Sequence, residues 1–339
     1  MSGVSGARWL RAALGTLLAL ALIACEQSPS NPAAGSTGLI EGHPAGPYRM
    51  SLQLAPPHPA PAEETRLTWQ LSHAANGKPV ENLQVLHERV IHNFIVNLDF
   101  SSFAHIHHED FRALTAADLD NATFTLPYQF PRAGHYRIVS DFTHRERSWS
   151  KHFDVTVGTP SVKATPVADF SRTRQVEDIT GVLSVSPSVP LAGYESELVL
   201  TLHRQGVPVT DLALILGSEV HVALWREDAQ HFGHTHSYTP HMASMLRAMH
   251  EQGADAASRA RMLADMMVMM MNMPSELVFH GPQIPVHYVF PEAGVYHLFL
   301  QCAPGGQPRV FHFALQVQAF QAGMETRIES IVTSDGAHQ

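Results

Sequence analysis

The chain has 339 residues, 45% of them hydrophobic and only 16% charged, with 23 prolines and 22 glycines, which describes a turn-rich globular protein large enough for two cores. A net charge of −9 argues against nucleic acid as a partner. Its 23 histidines and 13 methionines are both metal-ligand residue types.

The N-terminus carries Arg8 and Arg11, then an apolar run from Ala12 to Ala24 ending in Leu22-Ile23-Ala24-Cys25. This pattern predicts a cleavable export signal over residues 1–24, too short for a membrane span. Leu-Ile-Ala-Cys resembles the lipobox of bacterial lipoproteins. That resemblance implies lipidation of Cys25 and an extracytoplasmic protein held on a membrane, on the periplasmic side of either membrane in a Gram-negative cell. The Pro/Gly/Ser-rich residues that follow read as a flexible tether over 25–45. With Cys25 lipidated only Cys302 remains, so no intramolecular disulfide is expected.

The body of the chain is an internal repeat. Gly77-Lys-Pro79-Val80 recurs 129 positions later as Gly206-Val-Pro208-Val209, and the same shift carries His92 to His221, Asp99 to Asp228, Phe103 to Phe232, His105 to His234 and His107 to His236. Further on the shift becomes 160, pairing Phe130-Pro131 with Phe290-Pro291, Tyr136 with Tyr296 and His152-Phe153 with His312-Phe313. The 31-residue difference is an insertion in the second copy. Two homologous domains are therefore expected over 46–158 and 181–318, with a linker over 159–180 and a tail over 319–339. Period-two or wholly apolar runs such as Leu67 to Leu71, His92 to Leu98, Tyr136 to Val139 and Phe153 to Val157 predict strands separated by turns. The fold class is mainly β: two tandem antiparallel β-sandwiches of immunoglobulin-like or cupredoxin-like type.

Each copy contains His-x6-Asp-x3-Phe-x-His-x-His. In an extended segment, residues two apart point the same way, so His105 with His107, and His234 with His236, form ready-made chelates. His92 shares parity with Phe94, Val96 and Leu98, placing its ring at the rim of a core; His221 is its counterpart. Three imidazoles per domain suit Cu(II) or Zn(II), with a fourth position left for water, a carboxylate or a substrate. Asp99 and Asp228 read either as secondary ligands or as acceptors capping the turn after the strand. His152 and His312 read as strand-opening residues that pair with a neighbouring strand, or as extra ligands. His87, His108, His135, His231 and His297 have no counterpart and rank lower.

The insertion, 241–273, holds ten of the thirteen methionines. Met242, Met245 and Met249 follow helical spacing, Gly253 marks a break, and a second helix is expected from Ala257 to Met271, ended by Pro274. This Met-rich helical hairpin reads as a soft Cu(I) surface with His241 and His250, or as a packing or partner surface.

The strings Gly77-Lys-Pro79-Val80, His92, Asp99, Phe103-Ala-His105-Ile-His107 and Phe130-Pro131-Arg-Ala-Gly134-His-Tyr136 resemble the YtkA-like and CopC-like immunoglobulin-fold secreted modules. The resemblance implies copper handling by His92, His105 and His107 and by His221, His234 and His236. It departs after each pair, where His108-Glu109 and Ser237-Tyr238 replace His-Pro-Glu. The anchor at Cys25 and its tether would hold these sites within reach of a membrane, so a membrane-bound metal transporter or metalloprotein is the expected partner. Two other readings stay open: a lipid-anchored structural or interaction module with structural histidines, and a two-domain copper-dependent oxidoreductase. No hydrolase motif is present.

Overall fold

The computed structural model describes residues 37–160, 166–237 and 281–320. The chain divides into two units, Met1–Pro32, which lies outside the described residues, and Ala33–Gln339, which contains both sandwiches. Cys25, the expected export signal, and the Met-rich insertion with His241, Met242, Met245 and Met249 fall outside the described residues.

The first sandwich has an outer sheet of β1 (Leu39–Glu41), β2 (Tyr48–Ala55), β3 (Glu64–His73) and β6 (Thr123–Gln129), in the order β1-β2-β3-β6. Its inner sheet contains β4 (Ile91–Asn97), β5 (Phe103–Ile106), β7 (Gly134–His144) and β8 (Arg147–Val157), in the order β5-β4-β7-β8. A short helix, α1 (Ala116–Asp120), precedes β6. Every strand pairing is antiparallel. An outer sheet containing β2, β3 and β6 facing an inner sheet that joins β4, β7 and β8 is the immunoglobulin-like arrangement. A tyrosine corner marks the same fold: the Tyr136 hydroxyl, near the start of β7, donates to the Arg132 carbonyl at 3.0 Å, and Tyr296 donates to that of Glu292 at 3.0 Å.

In the second sandwich the outer sheet holds β9 (Thr173–Val176), β10 (Ile179–Ser186), β11 (Glu195–Arg204), β12 (Val207–Pro208) and β16 (Gln283–Val289). The inner sheet holds β13 (Leu212–Ala213), β14 (Val220–Arg226), β15 (Phe232–His236), β17 (Gly294–Pro304) and β18 (Arg309–Val317). The repeat is exact at the centre: β14 lies 129 positions after β4, and β16 and β17 lie 160 positions after β6 and β7. Two boundaries need correction. The expected tether contains β1, which pairs with β2, and the expected linker contains β9 and the start of β10. Both are strands of three or four residues added to an outer sheet, too short to show a period-two signal.

The outer strands alternate buried and exposed residues, whereas β4 is buried along its whole length and β14 nearly so. The reason is that the inner sheets have a core on each face. Ile91 and Ile95 belong to the core of the first sandwich, and Val220, Val222 and Leu224 to that of the second. The residues of opposite parity, Phe94 and Val96 on β4 and Ala223 and Trp225 on β14, join Phe100, Val139, Ala229 and Phe299 in a third core between the two inner sheets. Phe103 stacks on Phe299 with ring centroids 4.5 Å apart. Arg137, held by both oxygens of Asp154, donates to the Ala229 carbonyl across the same seam. His92 does share the parity of Phe94 and Val96, and the core it borders is the one between the sandwiches.

Candidate metal centre

Each triad is assembled by one pair of neighbouring inner strands. On β4, His92 points toward the seam, and β5 pairs with β4 so that His105 lies opposite Phe94. His105 and His107 point the same way because they are two apart. The three ligand atoms, His92 Nδ1, His105 Nε2 and His107 Nε2, form a triangle with sides of 3.2, 3.0 and 3.0 Å. A tetrahedral ion with imidazole nitrogens at 2.0–2.1 Å has nitrogen–nitrogen edges of about 3.3 Å, close to these sides.

The protons of the first triad are assigned by its surroundings. His92 Nε2 donates to the Leu86 carbonyl at 3.0 Å, which leaves Nδ1 as a lone pair. His107 Nδ1 donates to Asp110 Oδ2 at 2.9 Å, and His105 Nδ1 donates to Gln301 Oε1 at 3.0 Å. In each ring the nitrogen outside the triangle is engaged as N–H, so three lone pairs converge on one point. Acceptors of this kind fix the tautomer and orientation of metal-bound histidines. Burial pushes His92 and His105 well below the ordinary imidazole range, reinforced by the neighbouring rings, so both are neutral and able to ligate. The Asp110 carboxyl lies below its usual value: burial raises it, but hydrogen bonds from His107 and Arg89 outweigh that.

The second triad repeats the design. His221, His234 and His236 place one ligand atom each within 4.8 Å of one another. His221 Nε2 donates to the Ile215 carbonyl at 2.7 Å, the counterpart of Leu86. His221 Nδ1, His234 Nε2 and both nitrogens of His236 are buried without a hydrogen-bond partner among the described residues. Buried orphan acceptors are costly unless something fills the site. Burial, with neighbouring rings as the next cause, holds all three well below the usual imidazole range.

The turns that lead into β4 and β14 explain the two carbonyls. His87 and Glu88 have φ of 44° and 64°, and Leu216 and Gly217 have 50° and 74°, with reciprocal backbone hydrogen bonds between Leu86 and Arg89 and between Ile215 and Ser218. Both are tight hairpin turns of the left-handed type. Each aims its first carbonyl at the histidine six residues on.

The two triads face each other across the seam. Ring centroids are 5.4 Å apart for His105–His221, 5.6 Å for His92–His234 and 5.8 Å for His105–His234. Phe94 stacks on His105 at 4.3 Å and meets His234 edge-on at 4.6 Å. His87 crosses from the first sandwich to stack on His236 at 3.8 Å, and burial lowers its pKa to about 4. Asp141 Oδ2 lies 3.4 Å from His234 Nδ1; its Oδ1 is sealed from solvent with no hydrogen-bond partner among the described residues, and burial pushes the carboxyl up to about 8.

Other predicted residues lie elsewhere. Asp99 accepts from the Ser101 backbone N–H at 2.9 Å, and Asp228 accepts from that of Gln230 at 3.0 Å while pairing with Arg226. Both cap the turn after their strand, as the second reading of them had it, and their ligand role is corrected: the carboxylates beside the histidines are Asp110 and Asp141. His312 pairs with His297 at 3.0 Å, and the His152 backbone bridges to His43. Sequence reasoning ranked His87 low and missed Asp110, Asp141 and Gln301. The shift of 160 relates Asp141 to Gln301, a signal hidden because the two residues differ in type. An open cleft of about 490 Å³, lined by residues including Arg66, Phe111 and Arg112, involves none of these side chains.

A family model described as Domain of unknown function (DUF8832) matches residues 45–159 and again residues 175–319. No curated protein matches the sequence. Among solved structures the chain is similar to the adhesin FdeC of Escherichia coli, with 9% identity, a TM-score of 0.21, and coverage of 79% of this chain and 64% of that one. It is similar to invasin, a bacterial integrin-binding protein, at 11% identity and a TM-score of 0.22, covering 78% of this chain and 38% of that one. A two-domain fibronectin type-III segment of chicken tenascin matches at 8% identity and a TM-score of 0.20, covering 81% of this chain and 99% of that one. At these TM-scores the neighbours carry no argument, and the immunoglobulin-like assignment rests on the strand order and tyrosine corners above.

Proposed function

This chain belongs to the DUF8832 family, and from that premise we propose that it is a metal-binding lipoprotein, anchored through Cys25 on the outside of a cell membrane, that holds copper or zinc in its two histidine triads. The observation that carries the reading is the convergence of three lone pairs on one point while each ring's other nitrogen donates to a fixed acceptor. Neutral imidazoles in such an array favour Cu(II) or Zn(II) and leave a fourth position for water or an exchanging ligand. With a tether and a lipid anchor, the natural role is metal handling or delivery to a membrane-bound transporter or metalloprotein. No helix among the described residues is long and apolar enough to cross a membrane, a finding silent on β-barrels. The methionines of 241–273, outside the described residues, would serve in this reading as a Cu(I) surface or as a packing or partner surface.

The test is metal analysis of the full-length chain in detergent, without a histidine tag, after equilibration with Cu(II) or Zn(II). Two ions per chain are expected. His105→Ala with His107→Ala, and separately His234→Ala with His236→Ala, each remove one ion, and the quadruple variant binds none tightly. Unchanged stoichiometry in the quadruple variant sinks the reading. If the wild-type chain binds no metal, the histidines are packing residues of the seam. Dioxygen consumption with a reductant, lost in the same variants, identifies the oxidoreductase alternative.

A further inference from the structure

Resting on the metal-binding reading, we infer that the two triads are unequal halves of one two-ion centre, and that Asp141 makes the His221–His234–His236 half fill first.

Proximity is the first argument. The rings of opposite triads lie 5.4 to 5.8 Å apart, about the spacing found within a triad, where His92 and His105 are 5.4 Å apart. Two divalent cations held in these triads sit in one shared, largely water-free space and repel each other, so the second binds more weakly than the first.

The second argument is that each half is completed by the other sandwich. Asp141 on β7 pairs with His92, and Gln301 on β17 pairs with His221, at positions equivalent in the repeat. Neither side chain serves its own triad. Gln301 reaches His105 of the first sandwich, and Asp141 reaches His234 of the second. The two crossings are related by the approximate two-fold symmetry of the repeat, yet one offers a neutral amide and the other a carboxyl group.

That difference sets the order of filling. A carboxylate accepting from the far nitrogen of a ligating histidine raises its basicity and offsets part of the ion's charge, whereas an amide only orients the ring. The other Asp141 oxygen is sealed from solvent with no hydrogen-bond partner among the described residues, a buried acceptor whose cost a cation in that half would offset. Asp141 is thus a positioning residue acting through His234, and Gln301 is its weaker counterpart acting through His105. Changing such a supporting residue typically alters metal affinity 10–100-fold, which sets the size of the expected asymmetry.

The experiment is stepwise titration of the full-length, untagged chain in detergent with Cu(II), followed by calorimetry and electron paramagnetic resonance. The first equivalent is expected to bind about ten-fold or more tightly than the second and to give the spectrum of an isolated Cu(II). The second equivalent is expected to broaden that spectrum by coupling between the two ions. Asp141→Asn lowers the first affinity about ten-fold and leaves the second; Gln301→Asp raises the second about ten-fold and leaves the first, and being a gain of affinity it is not mimicked by misfolding. His234→Ala with His236→Ala removes the tight phase alone. Two equal, magnetically isolated ions unaffected by Asp141→Asn and Gln301→Asp overturn this inference and leave the metal-binding reading standing. Absence of Cu(II) binding in the wild-type chain overturns both.

Discussion

The first triad is surrounded by three acceptors, the Leu86 carbonyl, Asp110 and Gln301, whereas the second has the Ile215 carbonyl and Asp141 and leaves His236 without a partner among the described residues. The position that matches Asp110 in the repeat is Thr239, outside the described residues. One ancestral module therefore yields two pockets with the same ligands and different surroundings. Duplication preserves ligand types and strand register, and divergence acts through the residues that hold the ligands.

Three changes break or sharpen that comparison. The largest effect is expected from Trp225→Ala, which empties the centre of the core shared by both pockets, where Trp225 is fully buried beside Phe103 and Phe232. It should cost about 3–5 kcal/mol in denaturant unfolding and weaken both ions together. An effect on one ion alone would mean that the seam does not couple them.

Next comes pH. In the metal-free protein, burial lowers the pKa of His87 and His297 to about 4, against an ordinary value of 6.5. Because the folded value is the lower one, the unfolded chain binds more protons between pH 6.5 and 4. Stability is therefore complete above pH 6.5 and lost as pH falls toward 4, by on the order of 2 kcal/mol for His297, which is fully buried. Thermal melts of the chelator-treated chain between pH 7.5 and 4 measure this, and a flat profile contradicts it.

The smallest change is Asp110→Asn, which removes the carboxylate beside His107 and touches nothing in the second pocket. Affinity at the first half should fall about ten-fold with the other half unchanged, read by the same stepwise titration. Equal loss at both halves would show that the two pockets cannot be tuned separately.

Much of this was legible in the sequence. The repeat placed all six triad histidines, period-two runs located the strands, and the parity of His92 with Phe94 was correct. The unbroken apolar character of β4 already recorded burial on both faces, but a run of that kind does not say what covers the second face. A repeat establishes that two domains are equivalent and is silent on how they dock. Contacts such as His105 with Gln301, 196 positions apart, and His87 with His236 exist only because the inner sheets face each other, so no local pattern encodes them. Asp99 and Asp228 were attractive as ligands because they fall between the histidines in sequence, yet a residue just past a strand end is spent on its turn.

β5, which carries His105 and leads straight into His107, and β15, which carries His234 and His236, are the last strands of their inner sheets and are four and five residues long. A sheet edge of that length is held by few ladder hydrogen bonds and opens at far lower free energy than a central strand. Two of the three histidines of each triad thus sit on or just past the part of the sheet that frays first, while His92 and His221 stay on central strands. On the proposed metal-binding reading, exchange would need only one edge to lift, with all three cores intact, and its rate would follow local opening and not unfolding.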